Sequence, residues 1–334
     1  MAPRNAPGEP TTIRNVQRGV FPAFALLAGM QLELFTALAE GPASAAQAAQ
    51  RLGVREQKLA PLLYALVLTG LVELKEEKFA NSAEADEFLV KGRRRYLGGV
   101  HELWNDLWHA TLNTAQSIRT GKPQAKHDFV DGDTEALTSF LRGLAANALP
   151  RGRRLAKEFD FSGCRSVIDV GGGSGSGLLG LLEAYPKLRG TLFELPPIAA
   201  IAETLLRGAA HADRIAIEAG DITAAPPESR HDAAICMQLI QVLSPADAAR
   251  AIAHMAQAVE PGGTVYIVAS GALDDSRLAP ATAVFINVTF LNVYDDGQSY
   301  TQEQYFGWLA AAGCVEPQRR VLEDETSILW ARKA

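Results

Sequence analysis

Val167-Ile-Asp-Val-Gly-Gly-Gly-Ser-Gly-Ser-Gly177 runs an apolar segment carrying Asp169 straight into five glycines within seven residues. The apolar part, Ser166–Val170, reads as a short buried strand. Glycine is the residue a chain needs where it must turn sharply, let a ligand approach its backbone and enter a helix. In open α/β sheets, ligands bind beyond the carboxyl ends of the strands. This stretch therefore fixes an α/β fold and a candidate binding site together.

Downstream, the pattern alternates. Helices are expected over 175–185, 197–206 and 246–259, and strands over 190–195, 214–218, 231–237 and 264–269. Strands alternating with helices of that length make a parallel, doubly wound sheet. Upstream, the chain reads as helices. Residues 13–40 carry apolar positions at helical spacing. Ser44-Ala-Ala-Gln47 spells a capping box, and Leu59, Leu62, Leu63 and Leu66 share one face of a helix over 55–69. Gly70–Leu74 and Phe79 then suggest a hairpin turning at Lys75–Lys78. Helix, turn, helix and hairpin spell a winged helix. Residues 84–160 read as helical, with a break at Gly121-Lys-Pro123 and a further helix from about Thr134 to Lys157, and 283–294 as another helix. The pattern changes near residue 163, giving a disordered tail over 1–12, a helical domain over 13–160 and an α/β domain over 161–334.

The glycines limit the ligand. A phosphate cradle would require a lysine after the loop, and none follows. A dinucleotide pattern starting at the strand end would need glycine at position 176, where Ser176 stands. What remains is Asp169, Gly171, Gly173 and Gly175, which resembles the signature of S-adenosylmethionine-dependent methyltransferases. Glu194, at the end of the next strand, can accept hydrogen bonds from both hydroxyls of a ribose. Gly220-Asp221-Ile222 follows the third strand, where methyltransferases place an acid near the adenine amine.

The chain as a whole resembles the two-domain small-molecule O-methyltransferases of bacteria and plants, including antibiotic-tailoring and hydroxyneurosporene enzymes. The likeness covers residues 20–330. Besides the loop, it rests on the winged-helix stretch from Leu34 to Leu74, Phe193-Glu-Leu-Pro196, Val259-Glu-Pro-Gly-Gly263, and Tyr305 with Leu309-Ala-Ala-Ala-Gly313. It implies a Rossmann-like, class I methyltransferase sheet. It also implies an all-helical winged-helix domain that joins a homodimer, and a small-molecule methyl acceptor bound between the domains. Carried over residue by residue, Gly171, Gly173 and Gly175 line the cofactor's amino-acid end, with Asp169 supporting them. Glu194 matches the ribose acid, Asp221 and Ile222 the adenine side, and Met237 with Gln238 the chain passing the sulfonium.

One departure bears on mechanism. After the fourth strand the family carries a histidine base, and this chain reads Gln238-Leu-Ile-Gln-Val-Leu-Ser-Pro. Gln241 takes the histidine's place in one alignment and Ser244 in another shifted by three, and neither is a base at neutral pH. A phenol is mostly protonated at pH 7 and benefits from a base; a thioether or activated carbon does not. Replacement bases are expected among His101 and His109, spaced with Asn105 along one helix, and at His127-Asp128. Trp104, Asn105, Trp108, Asn287, Asn292 and Tyr294 are expected around the acceptor. The other readings are a cofactor-binding relative without methyl transfer and a winged-helix regulator.

Composition narrows these choices. With 32 basic and 38 acidic residues the net charge is −6, and a nucleic-acid reader needs a basic face. Only Arg55 and Lys58 are basic over 54–70, so the winged helix reads as a dimerisation module. Three cysteines without a paired spacing argue against a zinc cage or disulfide framework and suit a reducing compartment. Asp295-Asp296 lacks partners at metal-ligand spacing. No apolar run approaches a membrane span, so a cytoplasmic location is expected.

Overall fold

The computed structural model describes residues 9–93, 95–97, 100–128, 130 and 132–334. Met1–Gly8, most of the expected tail, lies outside them. The chain forms two compact units, Met1–Trp104 and Asn105–Ala334.

The first unit contains α1 (Thr11–Arg18), α2 (Val20–Gln31), α3 (Leu34–Leu38), α4 (Ala45–Leu52) and α5 (Glu56–Leu68). The hairpin β1 (Val72–Lys75) and β2 (Lys78–Asn81) follows, then α6 (Ala83–Phe88) and the start of α7 (Val100–Thr111). The expected capping box is present: Gln47 N–H donates to Ser44 Oγ, and Ser44 N–H donates to Gln47 Oε1. Such a cap is worth about 1 kcal/mol. Glu76 and Glu77 turn the hairpin with positive φ. Leu34, Phe35, Leu63, Leu66 and Phe79 are buried, and Asn81 Nδ2 donates to the Phe35 carbonyl at 2.8 Å. Ile13, Val16, Phe21 and Phe24 stay exposed along α1 and α2.

In the second unit, α8 (Thr114–Thr120) and α9 (Thr134–Glu158) precede β3 (Ser166–Val170), α10 (Ser176–Leu182), β4 (Arg189–Glu194) and α11 (Pro196–Leu206). Next come β5 (Ile215–Ala219), β6 (His231–Met237), α12 (Pro245–Gln257), β7 (Val259–Ala269) and β8 (Ala272–Leu273). The chain ends with α13 (Ala281–Val293), β9 (Tyr300–Thr301), α14 (Gln302–Ala311), β10 (Cys314–Val321) and β11 (Ser327–Lys333).

The main sheet has seven strands in the order β10-β11-β7-β6-β3-β4-β5. Strands β3 to β7 are parallel, while β11 runs antiparallel to both β7 and β10. That antiparallel edge extends the parallel sheet read from the sequence. Alternate residues of β6 explain the layers. Ala234 and Cys236 pack with α12 and α14, whereas Ala233, Ile235 and Met237 pack with α9 and α10. Both faces are buried, which is why these strands read as continuous apolar runs. The sheet grows one way through β4 and β5 and the other way through β6 and β7. The switch point, where ligands bind in such folds, is therefore the carboxyl end of β3.

The expected break at Gly121-Lys-Pro123 is present: residues 121–128 form no helix, and α9 starts at Thr134. Gly121 takes a left-handed conformation (φ 65°), and Pro123 cannot donate a helical hydrogen bond. Instead, Ala125 and His127 donate their N–H groups to the carbonyls of Asn292 and Val293. These are orphan carbonyls at the end of α13, so the segment caps that helix from the side.

Candidate active site

At the switch point, Gly171, Gly173 and Gly175 have φ of 69°, 59° and 74°, a region L side chains rarely adopt. Space is restricted as well. A Cβ on Gly171 would lie 2.6 Å from Leu239, and one on Gly173 would lie 3.3 Å from Leu141. The loop is therefore a backbone cradle opening onto α10.

Two acids sit at this cradle. Asp169 is fully buried, and neither carboxyl oxygen has a hydrogen-bond partner. Burial, with the neighbouring Glu194, pushes its pKa up to about 8. An unpartnered buried carboxyl is costly, which marks Asp169 as a candidate acceptor for a ligand. Glu194 accepts N–H groups from Gly173 (2.9 Å) and Leu195 (2.8 Å). Burial raises its pKa, and those two hydrogen bonds oppose the rise. On the next strand, Asp221 Oδ1 accepts from the Thr223 N–H (2.8 Å) and hydroxyl (2.7 Å). His254 Nδ1 donates to the Ile222 carbonyl from α12 at 2.6 Å, fixing this turn beyond β5.

Beyond β6, Gln238 holds a left-handed φ of 68°, a strained conformation for a residue with a Cβ and one that clusters at functional sites. Its Oε1 accepts from Ser270 N–H (3.1 Å) and Gln241 Nε2 (2.9 Å). Its own Nε2 is a buried donor without a partner. Gln241, also buried, accepts the Gly271 N–H at 2.9 Å. The residue at the expected base position is thus a strut between the segments following β6 and β7. Met237 reaches α10, where a Cβ on Gly177 would lie 2.5 Å from its Cε.

His101, Trp104, Asn105, Trp108 and His109 all lie on α7, as expected, and the boundary between the two units falls within that helix. His109 is exposed, and its Nδ1 donates to the Asn105 carbonyl at 2.8 Å. Asn292 is fully buried and its amide is engaged within the fold. It accepts from Ser117 Oγ (2.7 Å) and donates to Thr114 Oγ1 and the Val288 carbonyl (both 3.0 Å), tying α13 to α8. Asn287 Oδ1 accepts the Ser299 N–H at 2.8 Å.

Tyr294 lies in an aromatic arc. Its ring is 5.3 Å from Phe290 and 6.2 Å from His127, whose ring is 5.0 Å from Phe140. Burial holds the Tyr294 hydroxyl above the ordinary tyrosine range. One end of the arc reaches Gly271, where a Cβ would meet both Gln241 and Phe290. The other end is Phe140 on α9, the helix that also carries Leu141 over Gly173. Phe140 and Phe290 were not singled out in the sequence, since an isolated phenylalanine on a helix carries no signal beyond core packing. His127 pairs with Asp106 (Nε2 to Oδ2, 2.8 Å), and Asp128 accepts the Val130 N–H at 3.0 Å.

Comparison with known proteins agrees with this architecture. A family model described as an O-methyltransferase domain matches residues 109–315. The chain is 32% identical over 314 residues to the 3-hydroxy-5-methyl-1-naphthoate 3-O-methyltransferase of Streptomyces sahachiroi, covering 92% of this chain and 90% of the relative. It is 28% identical over 305 residues to an N,N-dimethyltransferase of Streptomyces rimosus, covering 87% and 86%. Human N-acetylserotonin methyltransferase, solved in complex with S-adenosylmethionine, matches with a TM-score of 0.84 at 20% identity, covering 99% of this chain and all of that one. At that identity the likeness is one of fold. Taken with the family match across the cradle, the acids and the aromatic arc, these relationships show that the chain belongs to the S-adenosylmethionine-dependent O-methyltransferase family.

Proposed function

We propose that this methyltransferase acts on a hydroxyl or amine of an aromatic small molecule, and that it works as a homodimer. The observation that carries the reading is the cradle with its buried, unpartnered Asp169. S-adenosylmethionine brings an ammonium, a ribose diol and a methyl group on a sulfonium that needs no further activation. Asp169 offers the ammonium two acceptor oxygens. Glu194 keeps free acceptor capacity toward the diol, because a carboxylate has about four lone-pair sites and two are used by N–H groups. Asp221 and Ile222 border the adenine end. Met237 and Gln238 lie beside the sulfonium, with the unpartnered Gln238 amide available to the cofactor's carboxylate. The chain's own contribution is to position the nucleophile and exclude water.

The aromatic arc favours a flat acceptor, and the named substrate of the Streptomyces sahachiroi relative is a hydroxynaphthoate. In this reading residues 161–334 hold the cofactor, helices between 105 and 160 wall the acceptor, and the N-terminal winged-helix module dimerises. The exposed stripe Ile13, Val16, Phe21 and Phe24 supports the last point, since contiguous exposed apolar surface marks interaction sites. A cytoplasmic setting suits the free cysteines.

The test is transfer of a labelled methyl from S-adenosylmethionine to 3-hydroxy-5-methyl-1-naphthoate, 2-naphthol and 2-naphthylamine. Label on a heteroatom of at least one acceptor is expected. Label on none, with cofactor bound, would contradict the aromatic-acceptor reading.

A further inference from the structure

We propose that Gln241 is a positioning residue. It sets the direction of the Gln238 side-chain amide, so that Gln238 presents an N–H donor to an anionic oxygen of the bound ligand, the carboxylate of the cofactor's amino-acid end. The proposal rests on the methyltransferase reading above. It gives a task to the residue that one alignment puts in the place of the family's histidine.

The hydrogen bonds of the pair run in one direction only. A backbone N–H donates and never accepts. Gly271 N–H therefore requires an oxygen from Gln241 (2.9 Å), and Ser270 N–H requires one from Gln238 (3.1 Å). With Oε1 turned to Gly271, Gln241 directs its Nε2 to Gln238 Oε1 (2.9 Å). A Gln238 amide turned over would set its NH2 against two donors, so the network itself fixes which way this amide points. Gln238 Oε1 is used twice, and its buried Nε2 has no partner.

The pair is also held in place. Gln241 is buried. A Cβ on Gly271 would lie 2.7 Å from its side-chain oxygen, and one on Gly297 would lie 2.7 Å from its backbone oxygen. Gln238 turns at φ 68°, and its N–H donates to the Val268 carbonyl at 2.8 Å. The donor direction is thus set before any ligand arrives, which lowers the ordering cost of binding.

Both neighbours of Gln238 touch the glycine-rich stretch. Leu239 lies 2.6 Å from where a Cβ on Gly171 would stand, and Met237 lies 2.5 Å from where one on Gly177 would stand. This region therefore carries a buried carboxyl without a donor, Asp169, and a buried amide nitrogen without an acceptor, Gln238. An α-amino acid brings one group for each, an ammonium and a carboxylate. A charged oxygen is the stronger partner for an amide donor, and a buried donor left bare costs stability until a ligand meets it.

Two variants and two probes test this by calorimetric titration. Gln238→Glu keeps an oxygen for Ser270 and Gln241 and exchanges only the bare NH2 for a second oxygen. Gln241→Met keeps the length of the side chain and removes the amide that directs Gln238. The probes are S-adenosylhomocysteine and 5′-methylthioadenosine, which has the adenosine and thioether without the amino-acid end. Gln238→Glu is expected to weaken S-adenosylhomocysteine about a hundredfold, because a carboxylate then faces a carboxylate. Gln241→Met should weaken it about tenfold. Both variants should bind 5′-methylthioadenosine within about threefold of the wild type. A general loosening of the fold would weaken both probes alike, so equal losses, or no loss of either, overturn the proposal. Titration of 2-naphthol into the S-adenosylhomocysteine complex covers the other source of an oxygen. A loss confined to 2-naphthol would overturn the assignment to the cofactor and give the donor to the acceptor's hydroxyl. If the wild type binds neither nucleoside probe, the underlying methyltransferase reading fails instead.

Discussion

Gly173 donates its backbone N–H to Glu194 Oε1 at 2.9 Å, so the acid ending β4 is bonded to the glycine loop that follows β3. Each acid of the site is thereby assigned a different job. Glu194 shapes the loop, whereas Asp169 beneath it is left with nothing to bind.

In the proposed reading, Asp169 couples cofactor binding to protons. Its pKa is raised from 3.8 to about 8, so the free enzyme carries it protonated at pH 7. A raised carboxyl pKa means the folded state binds more protons than the unfolded one between those values. The stability it contributes is full below the unfolded pKa and is lost as pH rises through about 8. Comparing Asp169→Asn with wild type across pH 5 to 9 should show the free variant gaining relative thermal stability as pH rises. Calorimetric titration at pH 7 in two buffers should show proton release on S-adenosylhomocysteine binding, absent in the variant. The variant should bind about ten- to a hundredfold more weakly, the scale of a lost charged hydrogen bond.

Much of this region was legible in the sequence, and the reason is local. Gly171, Gly173 and Gly175 are forced by backbone conformation, and Asp169 and Glu194 lie at the ends of β3 and β4, whose apolar runs were readable because both faces are buried, while Asp221 follows the more exposed edge strand β5. The acceptor side was not legible. The His127–Asp106 pair joins residues 21 apart through an irregular segment held by the end of α13, and no periodicity reports such a contact. Asn292, read as a substrate contact, instead has its amide saturated by α8 and its own helix, an outcome visible only once α8 and α13 are packed.

That saturation gives a second prediction. Asn292→Leu removes three side-chain hydrogen bonds and strands the buried Ser117 hydroxyl. Denaturant unfolding should show a loss of about 1–3 kcal/mol. S-adenosylhomocysteine affinity should be unchanged, because the cradle lies elsewhere in the unit.

A third prediction concerns assembly. Phe21 and Phe24 are 57% and 48% exposed, on the stripe assigned to the dimer contact. Phe21→Asp with Phe24→Asp should convert a dimer to a monomer in sedimentation. An unchanged sedimentation profile would remove this stripe from the interface.

The most direct measurement is calorimetric titration of S-adenosylhomocysteine into the wild-type protein and Gly173→Val. Valine at φ 59° is strained by roughly 1–2 kcal/mol or more, and its Cβ would lie 3.3 Å from Leu141, filling the cradle. The account predicts saturable one-to-one binding to the wild type, and binding weakened about a hundredfold or lost in a variant that remains folded. Absence of binding to the wild type, or equal affinity in Gly173→Val, would contradict it.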